Sequence, residues 1–351
     1  MSQNTLPQMV NAIKREAELR NAYLDENIET IYFGGGTPSL LPGDDLKQVL
    51  EKLYQLFNIT NDAEITAEAN PDDINEEKLA AFKAAGINRL SIGVQSFFDD
   101  DLQWMNRAHN AGQARKSIEL AMQAGFTNIT IDLIYGTPYL SDEGWLQNLE
   151  TALQLNIPHL SCYALTVEPN TALQKMIALH KKEDIDVEKQ GRQFEQLIQW
   201  SAANGYEQYE ISNFAKPGLR SRHNSSYWQG KPYLGLGPSA HSYNGASRQW
   251  NIANNALYIK SIQQNIVPFE KEELTSTQKI NEYIMTGLRT AEGVALDHLK
   301  MIAGEQIGSA ITDDAQKFIQ QYLIQLKKGA LTLTSKGKLF ADGIAAGLFR
   351  E

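Results

Sequence analysis

The stretch Ile31–Leu40, IYFGGGTPSL, decides the fold. Ile31, Tyr32 and Phe33 form a short apolar run of the kind that makes a buried parallel strand. Gly34, Gly35 and Gly36 follow at once, and glycines at a strand end let the backbone turn sharply and approach a ligand that side chains would exclude. Thr37 and Pro38 then lead towards a helix predicted to begin near Asp44. Before the strand lies one amphipathic helix, about Leu6–Leu24, with no strand in front of it. It reads as the back half of a βα unit, so the Ile31–Phe33 strand is expected to have an unpaired edge and the helix to lack a partner.

The pattern repeats downstream. Glu64–Ala69, Arg89–Val94, Asn128–Leu133 and His159–Ala164 read as strands. Helices at about Glu76–Ala85, Gln113–Ala124, Glu143–Leu155 and Val187–Asn204 alternate with them, and a shorter strand follows at Tyr206–Ile211. Alternation of this kind implies a parallel sheet with right-handed crossovers. No GxGxxG opens a helix, so an incomplete parallel βα barrel fits better than an open dinucleotide-binding sheet. Glu68, Gln95, Asp132 and the Tyr163–Glu168 segment fall where strands should end, which in such barrels is the ligand rim. Any one of them could be a turn residue; a succession at equivalent places favours a site.

The 351 residues hold 42% hydrophobic and 21% charged side chains, an ordinary globular balance. A net charge of −10 argues against binding a phosphate backbone. No apolar run approaches the ~20 residues of a membrane span. MSQNTLPQMV has no signal-peptide character, so the cytoplasm is expected. The one cysteine, Cys162, excludes an intramolecular disulfide and any all-cysteine metal site within this sequence. It lies in a predicted buried strand, as small hydrophobic cysteines usually do.

From about Lys216 the texture changes to a stretch rich in Gly, Pro, Ser and aromatics with little helical periodicity. Helices are expected again at Thr275–Arg289 and about Ser309–Lys328, then a short strand at Ala330–Leu333 and a last helix. The expected organisation is a partial barrel over 1–215, a connecting region over 216–274 and a winged-helix-like α+β domain over 275–351.

IYFGGGTPSLL, EANPDD, RLSIGVQSF, LQWMNRAH, IDLIYGTP, YALTVEPNT, HNSSYW, YLGLGPSAHS and LTSKG occur in this order along nearly the whole chain. Together they resemble the radical S-adenosylmethionine (SAM) proteins, specifically the oxygen-independent coproporphyrinogen oxidase-like group and its heme-chaperone branch. The resemblance implies that Gly35, Gly36 and Thr37 hold the amino-acid end of SAM, with Glu68, Gln95, Arg107 and Asp132 completing the pocket. SAM offers an ammonium, a carboxylate, ribose hydroxyls and a sulfonium, for which glycine amides, an arginine and carboxylates are apt partners. By itself Arg107 reads as a surface helix charge. The family also carries a C-x-x-x-C-x-x-C loop on its first strand that holds a four-iron cluster. Nothing in this sequence matches it, so radical cleavage of SAM is not expected of the chain as written.

The resemblance further assigns heme binding to His223, Asn224, Tyr227 and Trp228, the H-N-x-x-Y-W pattern. Imidazole can ligate heme iron and aromatic rings can cover a porphyrin face. On the residues alone, His223 could equally cap a loop that Trp228 anchors. His241 is a reserve ligand. The implied activity is heme binding and delivery to an acceptor protein. The alternatives are a coproporphyrinogen dehydrogenase using SAM radicals, or a barrel enzyme whose GGGTP loop binds phosphate, against which no lysine lies near that loop.

Overall fold

The computed structural model describes residues 5–35 and 38–351, so Gly36 and Thr37 of the predicted SAM segment lie outside the described residues. Five strands make the curled parallel part of one sheet: β1 (Ile28–Phe33), β2 (Ile59–Ala69), β3 (Arg89–Gln95), β4 (Ile129–Tyr135) and β5 (His159–Ala164). Two short strands, β6 (Glu207–Glu210) and β7 (Asn213–Ala215), extend it in the order β1-β2-β3-β4-β5-β7-β6. The result is an α/β half-barrel. Among the described residues β1 is one edge of the sheet.

Period-two alternation divides the faces. Ala67, Leu90, Ile92, Ile131, Leu133, Leu160 and Cys162 point outward and are buried beneath the crossover helices with Phe82, Ile118, Trp145, Leu149 and Leu197. The opposite, concave face is polar. It carries Thr30 and Tyr32 of β1, Glu64, Thr66 and Glu68 of β2, and Arg89, Ser91 and Gln95 of β3. Asp132 of β4 and His159 and Ser161 of β5 complete it. Apolar burial on the helix side therefore carries the stability, at ~25 cal/mol per Å². The inner face depends on paired polar groups.

Several expectations are corrected. The continuation after β5 is not parallel: β7 pairs antiparallel with β5, and β6 antiparallel with β7. The strand holding Asp132 runs on to Tyr135, so that carboxylate lies inside the strand rather than at its end. The N-terminal helix stops at Leu19, because Arg20 leaves helical angles while its side chain turns into a buried network. This helix is not without a partner. Met9 and Ala12 pack with Tyr258, Ile259 and Ile262 of a helix at Asn255–Gln263.

That second helix belongs to the stretch expected to be irregular. Besides it, residues 216–274 hold a helix at Arg222–Trp228 and a three-stranded antiparallel sheet of β8 (His241–Tyr243), β9 (Ser247–Asn251) and β10 (Phe269–Glu273). The chain ends in a winged-helix arrangement with its own core. The helices Ser276–Arg289, Leu296–Ala303 and Glu305–Gln320 pack on β11 (Val294–Ala295), β12 (Ile324–Lys327) and β13 (Ala330–Leu333). The helix expected to reach Lys328 ends at Gln320, and its last residues are strand instead. Among the described residues no helix is long and apolar enough to cross a membrane.

Candidate functional site

The rim gathers at the C-terminal ends of β1 to β4. The backbone turns sharply after Phe33, and Gly35 adopts a φ of +75°, open to glycine without strain. Gly34 is held to glycine by space: a Cβ there would come within 2.5 Å of the Tyr32 ring and 2.8 Å of Glu68 Oε1. The Tyr32 hydroxyl donates to Glu68 Oε1 at 2.7 Å, placing this carboxylate directly behind the turn.

On the next strand Gly93 faces inward. A Cβ there would meet Gln95 Nε2, Arg107 Nη2 and Asn70 Oδ1 at 3.0, 3.5 and 3.7 Å, so three polar groups converge on the gap it leaves. Arg107 donates to Asn70 Oδ1 at 2.9 Å, while its Nε is buried with no hydrogen-bond partner among the described residues. Gln95 ends β3 in the left-handed region, with φ +67°. Non-glycine residues seldom adopt such angles, and they cluster at functional sites.

Asp132 lies on the same concave face. Burial, and next the Glu68 carboxylate, push its carboxyl up to about 7, against the pull of Arg89, Ser161 and Arg107. A folded-state value above the ordinary carboxylate value means that protonated Asp132 favours the fold. That contribution is full below about pH 4 and is lost as pH rises through about 7. The melting temperature without ligand is therefore expected to fall from pH 5.5 to pH 8 more steeply in wild type than in Asp132→Asn. Parallel profiles for the two proteins would show that Asp132 does not titrate in this range. A bound cation would have the opposite preference, since the ionised pair Glu68–Asp132 attracts it.

The described rim thus brings together Gly35, Glu68, Gln95, Arg107 and Asp132. Two carboxylates, a guanidinium with an unused donor, an amide and exposed turn backbone suit a ligand that is both zwitterionic and cationic. Sequence reasoning missed Asn70, which orients Arg107, and Tyr32, which it took as a buried apolar residue. The available signal was parity: Tyr32 shares a face with Thr30, whereas Ile31 and Phe33 share the other.

The HNxxYW residues form a helix, not the expected loop. Glu64 on β2, 5% exposed, caps its first turn by accepting from the backbone N–H of Arg222 (3.0 Å) and His223 (2.9 Å) and from Ser221 Oγ (3.3 Å). The same carboxylate faces the buried Arg89 guanidinium at 3.7 Å. Arg89 also donates to Asn128 and Thr130, and Thr130 Oγ1 meets His159 Nδ1 at 3.0 Å. His159 Nε2 lies 2.7 Å from the Tyr209 hydroxyl, which accepts from Asn224 Nδ2 at 3.2 Å. Asn224 thus faces the barrel interior and closes this network.

His223 and Tyr227, four residues apart, share one side of the helix. The Tyr227 hydroxyl lies 3.1 Å from His223 Nε2, and the rings meet edge to face at 5.0 Å. Burial pushes the His223 imidazole down to about 4, so it is neutral near pH 7. Trp228 is not beside them. It lies beneath the Arg289 guanidinium, 5.1 Å from its ring centre, with a buried indole N–H that has no hydrogen-bond partner among the described residues. The expected aromatic wall of Tyr227 and Trp228 over one ligand is therefore split between two sides of the helix. His241 is exposed on β8 and stacks on Trp250 at 6.2 Å.

The Radical SAM superfamily profile matches residues 7–163, and that of the HemN C-terminal domain matches residues 274–340. The heme chaperone HemW of Bacillus subtilis is 33% identical over 351 residues, spanning 99% of this chain and 91% of that protein. The chain belongs to the HemW family. A HemW of Mycobacterium tuberculosis strain H37Rv is 34% identical over 339 residues, spanning 96% of this chain and 85% of that one. The coproporphyrinogen III oxidase HemN of Escherichia coli superposes with a TM-score of 0.83 at 22% identity, covering 99% of this chain and 84% of that one. That likeness establishes the shared fold. Cys162 is a free thiol in the helix-side core of the sheet, pushed far up by burial.

Proposed function

We propose that this chain is a heme chaperone of the cytoplasm, which binds heme through His223 and passes it to an acceptor protein, with SAM held at the glycine rim. Membership of the HemW family supports the class of activity. One observation carries the ligand assignment: His223 is a neutral imidazole whose Nε2 lies 3.1 Å from the hydroxyl of Tyr227, a residue 42% exposed to solvent. A rotation of Tyr227 uncovers the lone pair without removing a proton. At the rim, Glu68 and Asp132 suit the ammonium and sulfonium of SAM, Arg107 its carboxylate, and Gly35 the approach of its amino-acid end. When bound, SAM places its positive charge against this carboxylate pair.

Hemin titration followed by the Soret band tests the assignment. Wild type and His241→Ala are expected to give the same shifted band, and His223→Ala to lose it. Tyr227→Phe removes one hydrogen bond that competes for Nε2, worth about 0.5–1.5 kcal/mol, so hemin is expected to bind it about two- to tenfold more tightly. A His223→Ala protein that titrates like wild type would place the heme site elsewhere.

A further inference from the structure

The imidazole of His223 is supported from a single strand at two points. Thr30 Oγ1 lies 2.9 Å from His223 Nδ1. The Tyr32 ring stacks on the imidazole with centroids 4.6 Å apart and planes within 13°. Residues i and i+2 of a strand share a face, so Thr30 and Tyr32 are two adjacent supports beneath one ring. Tyr32 is itself fixed by its bond to Glu68 and by the glycine at position 34 that makes room for it. Neither residue belongs to the HNxxYW pattern.

We propose that Thr30 and Tyr32 are positioning residues for the iron-ligating imidazole, Thr30 setting its tautomer and Tyr32 its plane. This rests on His223 being the heme ligand. A phenol is a far better donor than acceptor, so the Tyr227 hydroxyl on Nε2 assigns the ring proton to Nδ1, and Thr30 Oγ1 accepts it. Nε2 then carries the free lone pair. An acceptor on the far nitrogen orients a ligating histidine and raises its basicity, and loss of such a partner typically costs ~10- to 100-fold in metal affinity. The stack limits rotation about the remaining side-chain bond, so the ring plane is set before iron arrives and less entropy is lost on binding. Because Tyr32 also touches Glu68, the rim and the heme helix rest on the same side chain.

Hemin titration and resonance Raman spectra of the bound ferrous heme test this in the full chain. Thr30→Val keeps shape and suits a strand. It is expected to bind hemin about 10-fold more weakly and to move the iron–histidine stretching band to lower frequency, with Thr30→Ser restoring both. Tyr32→Phe retains the stack but loses the bond to Glu68 that fixes the ring, and is expected to fall between wild type and Tyr32→Leu, which loses the stack and the most affinity. Thermal melts of all four variants separate these effects from unfolding. If His223→Ala loses hemin but Thr30→Val keeps wild-type affinity and band position, the tautomer role is overturned while the ligand assignment stands. If Tyr32→Leu also titrates like wild type, the stack positions nothing. If His223→Ala itself binds normally, the ligand assignment fails and this inference falls with it.

Discussion

Glu64→Ala is expected to unfold far more easily than wild type, by about 3–5 kcal/mol, and to lose hemin binding as well. The carboxylate performs two tasks at one point of the concave face. It compensates Arg89, which is 2% exposed, and it accepts from two N–H groups and the Ser221 hydroxyl at the start of the HNxxYW helix. Alanine leaves a buried guanidinium uncompensated and at once frees a seven-residue helix too short to persist alone. Glu64→Gln, which keeps an acceptor but not the charge, should fall between the two. Urea unfolding and hemin titration measure both consequences. A Glu64→Ala protein with an unchanged urea midpoint would show that Arg89 is satisfied by Asn128 and Thr130 alone.

Glu16→Ala is expected to cost a comparable amount, about 3–5 kcal/mol, but in a different part of the molecule. Glu16 is fully buried. Its carboxylate accepts from Tyr258 Oη (2.5 Å), Asn251 Nδ2 (2.7 Å), the Gly237 N–H (2.8 Å) and Arg20 Nη1 (3.3 Å). Arg20 continues inward to Gln249 Oε1 at 2.9 Å and Ser242 Oγ at 3.1 Å. Glu16 thus fastens the N-terminal helix to β9 and the helix at Asn255–Gln263, and through Arg20 to Ser242 of β8. Removing it strands a buried cation and three donors. Proteolysis at the N-terminal helix, alongside a lowered melting temperature, is the expected signature. Wild-type resistance to protease and heat would refute it.

The parallel strands were legible because each is apolar on its helix side and bounded by turn residues, as in IYFGGG and IDLIYGTP. Gly35, Glu68 and Gln95 stood out at the ends of apolar runs, whereas Asp132 lies inside its strand and Arg107 came only from the family resemblance. What escaped was structure fixed by distant partners. HNSSYW has no apolar period; its helix starts at the local N-cap Ser221, and its first N–H groups are held by Glu64, far away in sequence. Glu16 and Arg20 have the i,i+4 spacing of an ordinary surface pair, and nothing local reveals that β8 and β9 cover them. β6 through β10 are three to five residues long, too short for alternation to stand out from turns. Thr30 and Tyr32 were hidden because threonine and tyrosine are common strand residues whatever they face.

The packing of Trp228 under Arg289 gives the molecule an optical property. Its indole is five residues from His223 on the same helix, roughly 7.5 Å along the axis at about 1.5 Å per residue, and the guanidinium of the C-terminal unit lies on it. A second indole, Trp250, stacks on His241. Each candidate iron ligand therefore has its own fluorophore, in a distinct electrostatic setting. The share of the quenching lost with Trp228→Phe, compared with that lost with Trp250→Phe, weighs the two positions, and the recovery of emission follows the chromophore's departure to an acceptor in real time.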